Sequence, residues 1–156
     1  MACNVFISYS TADLEVAKQL QENLERQEQP RFTVFLAESA VKVGDTLSTE
    51  ISNAIRACDF FVLLWSGAAD QSKWVPQEVG QAIHANKPIF PIVLKEGCVP
   101  PAFIAGLKYL PAYRGEKEIR RWIVEELNEH ARKVEMRNAV ALLLLLAALM
   151  FLLCKE

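Results

Sequence analysis

The sequence predicts an α/β domain, a parallel sheet with helices on both faces, joined to an apolar C-terminal helix of membrane-spanning character. Three observations predict it. Short β-rich apolar runs alternate with amphipathic stretches along most of the chain. One run, residues 60–65 (FFVLLW), is apolar at every position, as expected of a central parallel strand covered on both faces. And residues 139–153 (AVALLLLLAALMFLL) carry no polar side-chain atom beyond a thioether.

The elements follow in order. Residues 5–9 (VFISY) form the first strand, and Ser10-x-x-Asp13 reads as a capping box opening a helix that lasts to about Gln27. Residues 32–36 (FTVFL) form the second strand, and the polar stretch 37–46 a loop. Leu47, Ile51, Ala54, Ile55 and Cys58 fall on one helical stripe behind Asp45 as N-cap. After the central strand, Val75, Val79, Ala82 and Ile83 mark the next stripe, where Pro76 is tolerable only in the first turn. Residues 89–94 (IFPIVL) form a fourth strand whose Pro91 argues against a fully paired interior position. Residues 96–106 make a loop with at most a short helix, residues 107–110 a short edge strand, and Ile119, Trp122, Ile123 and Leu127 a final helix. Successive β–α units require right-handed crossovers, hence a parallel sheet with helices on both faces.

The chain divides into a domain over residues 1–134 and an anchor over residues 135–156. As a helix the apolar tail is roughly 24 Å long at about 1.5 Å per residue, a little under the ~30 Å bilayer core. Arg137 and Lys155 can snorkel to the two interfaces, and local thinning can absorb the mismatch. Arg132, Lys133 and Arg137 outnumber Lys155, so the positive-inside bias places the domain in the cytoplasm, with membrane lipid as a partner of the tail. The alternative is a helix buried in an oligomer or against the domain. The first residues lack the charged start and apolar run of a signal peptide, which agrees with a cytoplasmic domain.

Composition excludes several function classes. With 156 residues and an apolar share of 52%, the chain can bury one ordinary core. Its 17 basic and 19 acidic residues, net −2, provide no basic field for phosphate backbones, so no DNA or RNA partner is expected. Cys3, Cys58, Cys98 and Cys154 form no C-x-x-C pair, and the histidines are His84 and His130 alone, so neither a metal site nor a disulfide framework is readable. G-x-G-x-x-G and G-x-x-x-x-G-K are both absent, which disfavours a Rossmann cofactor site or a P-loop.

Open α/β sheets bind ligands outside the carboxyl ends of their strands, which directs attention to Ser10 and Thr11, to residues 38–46, and to residues 66–78. Trp74 and Glu78 are four apart, so they project from one helix face, an aromatic plate beside a carboxylate. Glu78 lies in the N-terminal turns, where the helix dipole favours its charged form.

VFISYS near the start, Gly44 after the second strand, FFVLLWS, S-K-W-V-P-Q-E and then KPIFPIVL together resemble the TIR (Toll/interleukin receptor) family in its bacterial form. The resemblance runs from about residue 4 to the final helix. It implies a five-stranded flavodoxin-like sheet and, in the enzymatic branch, NAD+ glycohydrolase or cyclase activity. Glu78 matches the family's catalytic glutamate and Trp74 the tryptophan four before it. Ser10 and Thr11 match positions that line the nucleotide pocket, where some members carry an arginine. Lys42 and Thr46, the latter at a position that can be aromatic, fall where the loop after the second strand closes on substrate.

On that resemblance NAD+ is a substrate, and no cofactor or metal is called for. Nicotinamide leaves as a neutral ring, so one carboxylate suffices where glycosidases use two. Many TIR domains are adaptors that assemble through the same loop and do no chemistry, and enzymatic members act as assemblies. Homo-oligomerisation is therefore expected on either reading. A response-regulator receiver on the same sheet order would need acidic residues at the end of the first strand, and residues 4–10 contain none.

Overall fold

A computed structural model describes residues 2–26, 31–37 and 47–115. Its elements are β1 (Ala2–Ser8), α1 (Leu14–Glu25), β2 (Arg31–Leu36), α2 (Leu47–Ala57), β3 (Phe60–Trp65), α3 (Gly67–Asp70), α4 (Val75–His84), β4 (Ile89–Val93) and β5 (Leu110–Pro111). All strand pairs are parallel, in the order β2-β1-β3-β4-β5. That is the flavodoxin-like order, in which the chain reverses direction across the sheet between β1 and β3.

The sheet is covered on both faces among the described residues. On one face Ala17, Leu20 and Leu24 of α1 pack on Val5, Ile7, Val34, Leu36, Val62 and Leu64. On the other, Ile51 and Ile55 of α2 and Val75, Val79 and Ala82 of α4 pack on Phe6, Phe61, Leu63 and Trp65. Odd and even positions of β1 thus serve opposite cores, as the two-residue period of a strand requires. Phe6 is stacked between Phe35 and Phe61, with ring centroids 5.3 and 5.2 Å away. β3 is buried along its whole length, as its unbroken apolar run predicts.

Several boundaries differ from the sequence reading. β1 starts at Ala2, because Ala2, Cys3 and Asn4 pair with Arg31, Phe32 and Thr33 of β2, a partner the local apolar run cannot reveal. The capping box is not formed. Ser10 caps a 3-10 turn, Thr11–Asp13, by accepting from Ala12 N, and Asp13, the N-cap of α1, makes no side-chain cap bond. Its carboxylate is held instead by Ser66. The polar stretch after β3 contains the short helix α3, capped by Ser66 Oγ accepting from Ala69 N.

Pro76 occupies the first turn of α4, as required. That helix ends where Asn86 takes a left-handed φ of 53° and Lys87 N reaches back to Ala82 O at 2.9 Å, the long bond of a Schellman-type stop. Ile83, placed in the buried stripe by periodicity, is 43% exposed, and the buried set is Val75, Glu78, Val79 and Ala82.

β4 lies second from the edge, and its proline is accommodated by alternation. The bonds Phe61 N to Pro88 O and Leu94 N to Trp65 O direct the even-numbered residues towards β3. Pro91 therefore turns its nitrogen towards β5, which pairs only with Ile92 and Val93. β5 itself is shorter and later than residues 107–110, since Leu107 N closes a turn onto Ile104 O at 2.9 Å. The loop before it holds one 3-10 turn, Ala102–Ile104. Asp45, Gln27, the final helix and the apolar tail lie outside the described residues. Among those described, no helix is long and apolar enough to cross a membrane.

Candidate active site at the carboxyl end of the sheet

The buried polar and charged side chains among the described residues are Ser8, Ser10, Ser66 and Glu78, and all four belong to the carboxyl end of β1 and β3 or the segments that follow. Ser8 is the last residue of β1 and is fully buried. Its hydroxyl donates to Glu78 Oε2 at 2.5 Å. A hydroxyl donating to an ionised carboxylate makes a bond about twice as strong as a neutral one. Glu78 comes from the first turn of α4 and is 6% exposed, at the helix end whose dipole favours a negative group.

A second polar bridge links the segments that follow β1 and β3. Ser66, immediately after β3, donates to Asp13 Oδ2 at 2.5 Å while its oxygen accepts from Ala69 N at 3.2 Å. The turn carrying Ser10 and Thr11 is thereby tied to the end of the central strand. At the same end Trp65 Nε1 donates to Val99 O at 3.0 Å and fastens the loop between β4 and β5.

Of the residues singled out from sequence, Ser10, Thr11, Trp74 and Glu78 are described, and they belong to the segments after β1 and β3. Ser10 is 6% exposed, with its oxygen engaged by Ala12 N at 3.1 Å, whereas Thr11 is exposed. Trp74 is the N-cap of α4 and 59% exposed. The expected plate beside a carboxylate thus becomes an exposed ring at the helix mouth above a buried carboxylate. Helical side chains tilt towards the N-terminus, so a residue at the cap extends past the helix end into solvent. Lys42 and Thr46 lie outside the described residues.

Sequence reasoning missed Ser8 and the role of Asp13, and marked Ser66 only as the start of the polar segment 66–78. The signal for Ser8 was period-two alternation: residue 8 shares the face of Phe6, the face on which α4 packs. For Glu78 it was the helical set 75, 78, 79 and 82, in which the carboxylate takes a core position.

Two cavities lined by described residues lie elsewhere. One, of about 540 Å³, is lined by Ile83, Pro88, Phe90, Phe103 and Leu107 beside the start of β4. Another, of about 390 Å³, lies between α2 and α4, lined by Ser52, Arg56, Gln81 and His84. Neither is lined by a buried polar side chain, whereas the carboxyl end of the sheet gathers Ser8, Ser10, Ser66 and Glu78. No three His, Cys, Asp or Glu side chains gather there into a metal-ligating set among the described residues.

A family model described as TIR domain matches residues 5–123. The chain belongs to the TIR domain family. Among solved structures, the TIR domain of the Toll-related receptor TRR-2 from Hydra magnipapillata is similar over 83% of this chain and 98% of its own, with a TM-score of 0.63 and 22% identity. The TIR domains of the activated Roq1 resistosome directly recognizing the pathogen effector XopQ are similar over 99% of this chain and 85% of theirs, with a TM-score of 0.51 and 19% identity. At these identities the likeness speaks for the TIR fold. No curated protein matches the chain.

Proposed function

We propose that this TIR domain cleaves the nicotinamide–ribose bond of NAD+, with Glu78 as its catalytic residue. The observation that carries the reading is the Glu78 carboxylate. It is an acidic group, 6% exposed, at the first turn of a helix and at the β1/β3 switch point of a TIR sheet, where open α/β folds bind ligands. A solvated surface charge would not be held there, because burying a carboxylate is costly unless something needs it.

In the reaction the C–N bond between ribose and nicotinamide breaks, its electron pair leaves with the ring, and the pyridinium becomes neutral nicotinamide. Glu78 stabilises the oxocarbenium-like charge that develops on the ribose, which is electrostatic catalysis by a pre-organised group. Trp74 stacks on the nicotinamide end, consistent with its exposed ring. Thr11, Lys42 and Thr46 contact the nucleotide. Ser10, with its oxygen engaged by the backbone, shapes the turn that carries Thr11. Water as acceptor gives ADP-ribose, and the adenine ring as acceptor gives a cyclic isomer.

The tail over residues 135–156 anchors the domain, residues 1–134, to the cytoplasmic side of a membrane. Confinement there raises the local concentration for TIR–TIR assembly. Such a protein suits defence or cell-death signalling.

The test is nicotinamide release from NAD+ by the full-length chain at high concentration. Glu78→Gln keeps the size and removes the charge, and it should lower turnover by at least about 10²-fold. An unchanged rate would remove the enzymatic reading. The second reading is a non-enzymatic adaptor, since membership of the TIR domain family is compatible with either role. Self-association on membranes with no nicotinamide release from either form would establish it.

A further inference from the structure

Ser8 is a hydroxyl where the fold has no packing need for one. It lies on the β1 face that presents Phe6, beside Leu63 in the β1–β3 register, and apart from Glu78 the α4 residues buried on that face are apolar. An alanine would fill nearly the same space without the cost of desolvating a hydroxyl. A buried hydroxyl is retained at net benefit when it is bonded, and this one donates to a carboxylate 70 residues away in the chain.

The geometry of that bond constrains Glu78. A glutamate side chain has three rotatable bonds, so a carboxylate at the end of it is poorly directed unless an oxygen is pinned. Ser8 pins Oε2 from the buried carboxyl end of β1, a strand in the interior of the sheet. A donor aimed at the ionised form also favours that form.

We propose that Ser8 is a positioning residue for Glu78, holding the carboxylate charged and in one orientation at the mouth of the site. Its consequence for turnover rests on the NAD+-cleaving reading; the pairing itself does not. A pre-organised charge needs no rearrangement as the transition state forms. Loss of the hydroxyl should therefore fall on kcat, with little change in KM for NAD+.

The experiment compares the full-length parent with Ser8→Ala, Ser8→Cys, Glu78→Gln and the double variant. Ser8→Cys nearly preserves size but offers only a weak donor. Two quantities are read: nicotinamide release as a function of pH, and the carboxylate carbon shift of Glu78 in glutamate-labelled protein, assigned by its disappearance in Glu78→Gln. Ser8→Ala should lower kcat roughly tenfold or more, the scale of losing a hydrogen bond to a charged group. The acid limb of its rate profile and the carboxylate titration should both move to higher pH. Ser8→Cys should fall in between, and Ser8→Ala should cost nothing further in the Glu78→Gln background.

An unshifted carboxylate titration in Ser8→Ala overturns the proposal even if the variant is less stable, since a space-filling serine would lower stability alone. If Ser8→Ala does not fold, Ser8→Cys carries the same comparison. Should the parent release no nicotinamide, the NAD+ reading fails by itself, and the titration alone then upholds or overturns the Ser8–Glu78 pairing.

Discussion

Removing one hydroxyl from Ser66 should cost far more than its size implies. Ser66 is 4% exposed and its hydroxyl has two functions: the O–H donates to Asp13 Oδ2 at 2.5 Å and the oxygen accepts from Ala69 N at 3.2 Å as the cap of α3. In Ser66→Ala the lost cap is worth about 1 kcal/mol. The lost bond to a charged acceptor is worth about 1.5–3 kcal/mol, and the lower end applies because Asp13 is half-buried and water can replace the donor in part. The sum is roughly 2–3 kcal/mol. With an unfolding entropy near 2.1 cal/mol/K per residue, a domain of this size should lose about 10 °C in Tm. Urea titration at constant m-value gives the free energy directly. The bridge also predicts coupling of at least about 1 kcal/mol between Ser66→Ala and Asp13→Ala in a double-mutant cycle. Additive effects, or a Ser66→Ala cost within about 0.5 kcal/mol, would refute a bridge between the turn after β1 and the end of β3.

Three further outcomes are expected. Gly80 lies inside α4 with nothing within 4 Å of an added Cβ, so Gly80→Ala should stabilise the domain by roughly 0.5–1 kcal/mol, read as a higher urea midpoint. Burial pushes the Cys58 thiol up to about 11 from 9.0, with Lys87 acting in the opposite sense and Asp59 in the same one. The folded thiol then keeps its proton where the unfolded one has lost it, so stability should fall as pH rises from about 9 towards 11. Cys58→Ala should flatten that limb of the stability profile, and an equally steep limb in the variant would show that another group carries it. Full-length protein should stay in the carbonate-resistant membrane fraction while a truncation after Lys133 stays folded and soluble; full-length protein found wholly in the soluble fraction would refute the anchor.

The parts of the fold legible in sequence were those dictated by local periodicity. The apolar run Phe60–Trp65 identified the buried central strand, and the stripes through Ile51 and Ile55 and through Val75 and Val79 identified helices that pack on it. What was not legible depends on contacts between distant residues. The start of β1 is set by pairing with Arg31 and Phe32, and β5 is delayed by the turn that Leu107 closes on Ile104. Asp13 fits a capping pattern locally, yet its carboxylate is held by Ser66, 53 residues away. A donor supplied by another strand outcompetes the local cap because Ser66 is itself buried and needs an acceptor.

The candidate site was partly legible for a related reason. Hydrophobic periodicity treats a charged residue as evidence of a solvent face, so it has Glu78 project from the helix and Ile83 complete the core. The structure reverses the two: Glu78 is 6% exposed and Ile83 is 43% exposed. Counted by position alone, 75, 78, 79 and 82 form the i, i+3, i+4, i+7 set of a single buried face. A carboxylate in such a set must be balanced from the surface it packs against, and that surface is the β1 face on which residue 8 follows Phe6 at the strand's two-residue period. A polar residue in a helix stripe, opposed by a polar residue on the matching face of the neighbouring strand, marks a buried hydrogen-bonded pair before any coordinates are known. In this chain Glu78 and Ser8 are that pair, and they meet at the β1/β3 switch point, where the topology leaves room for a ligand.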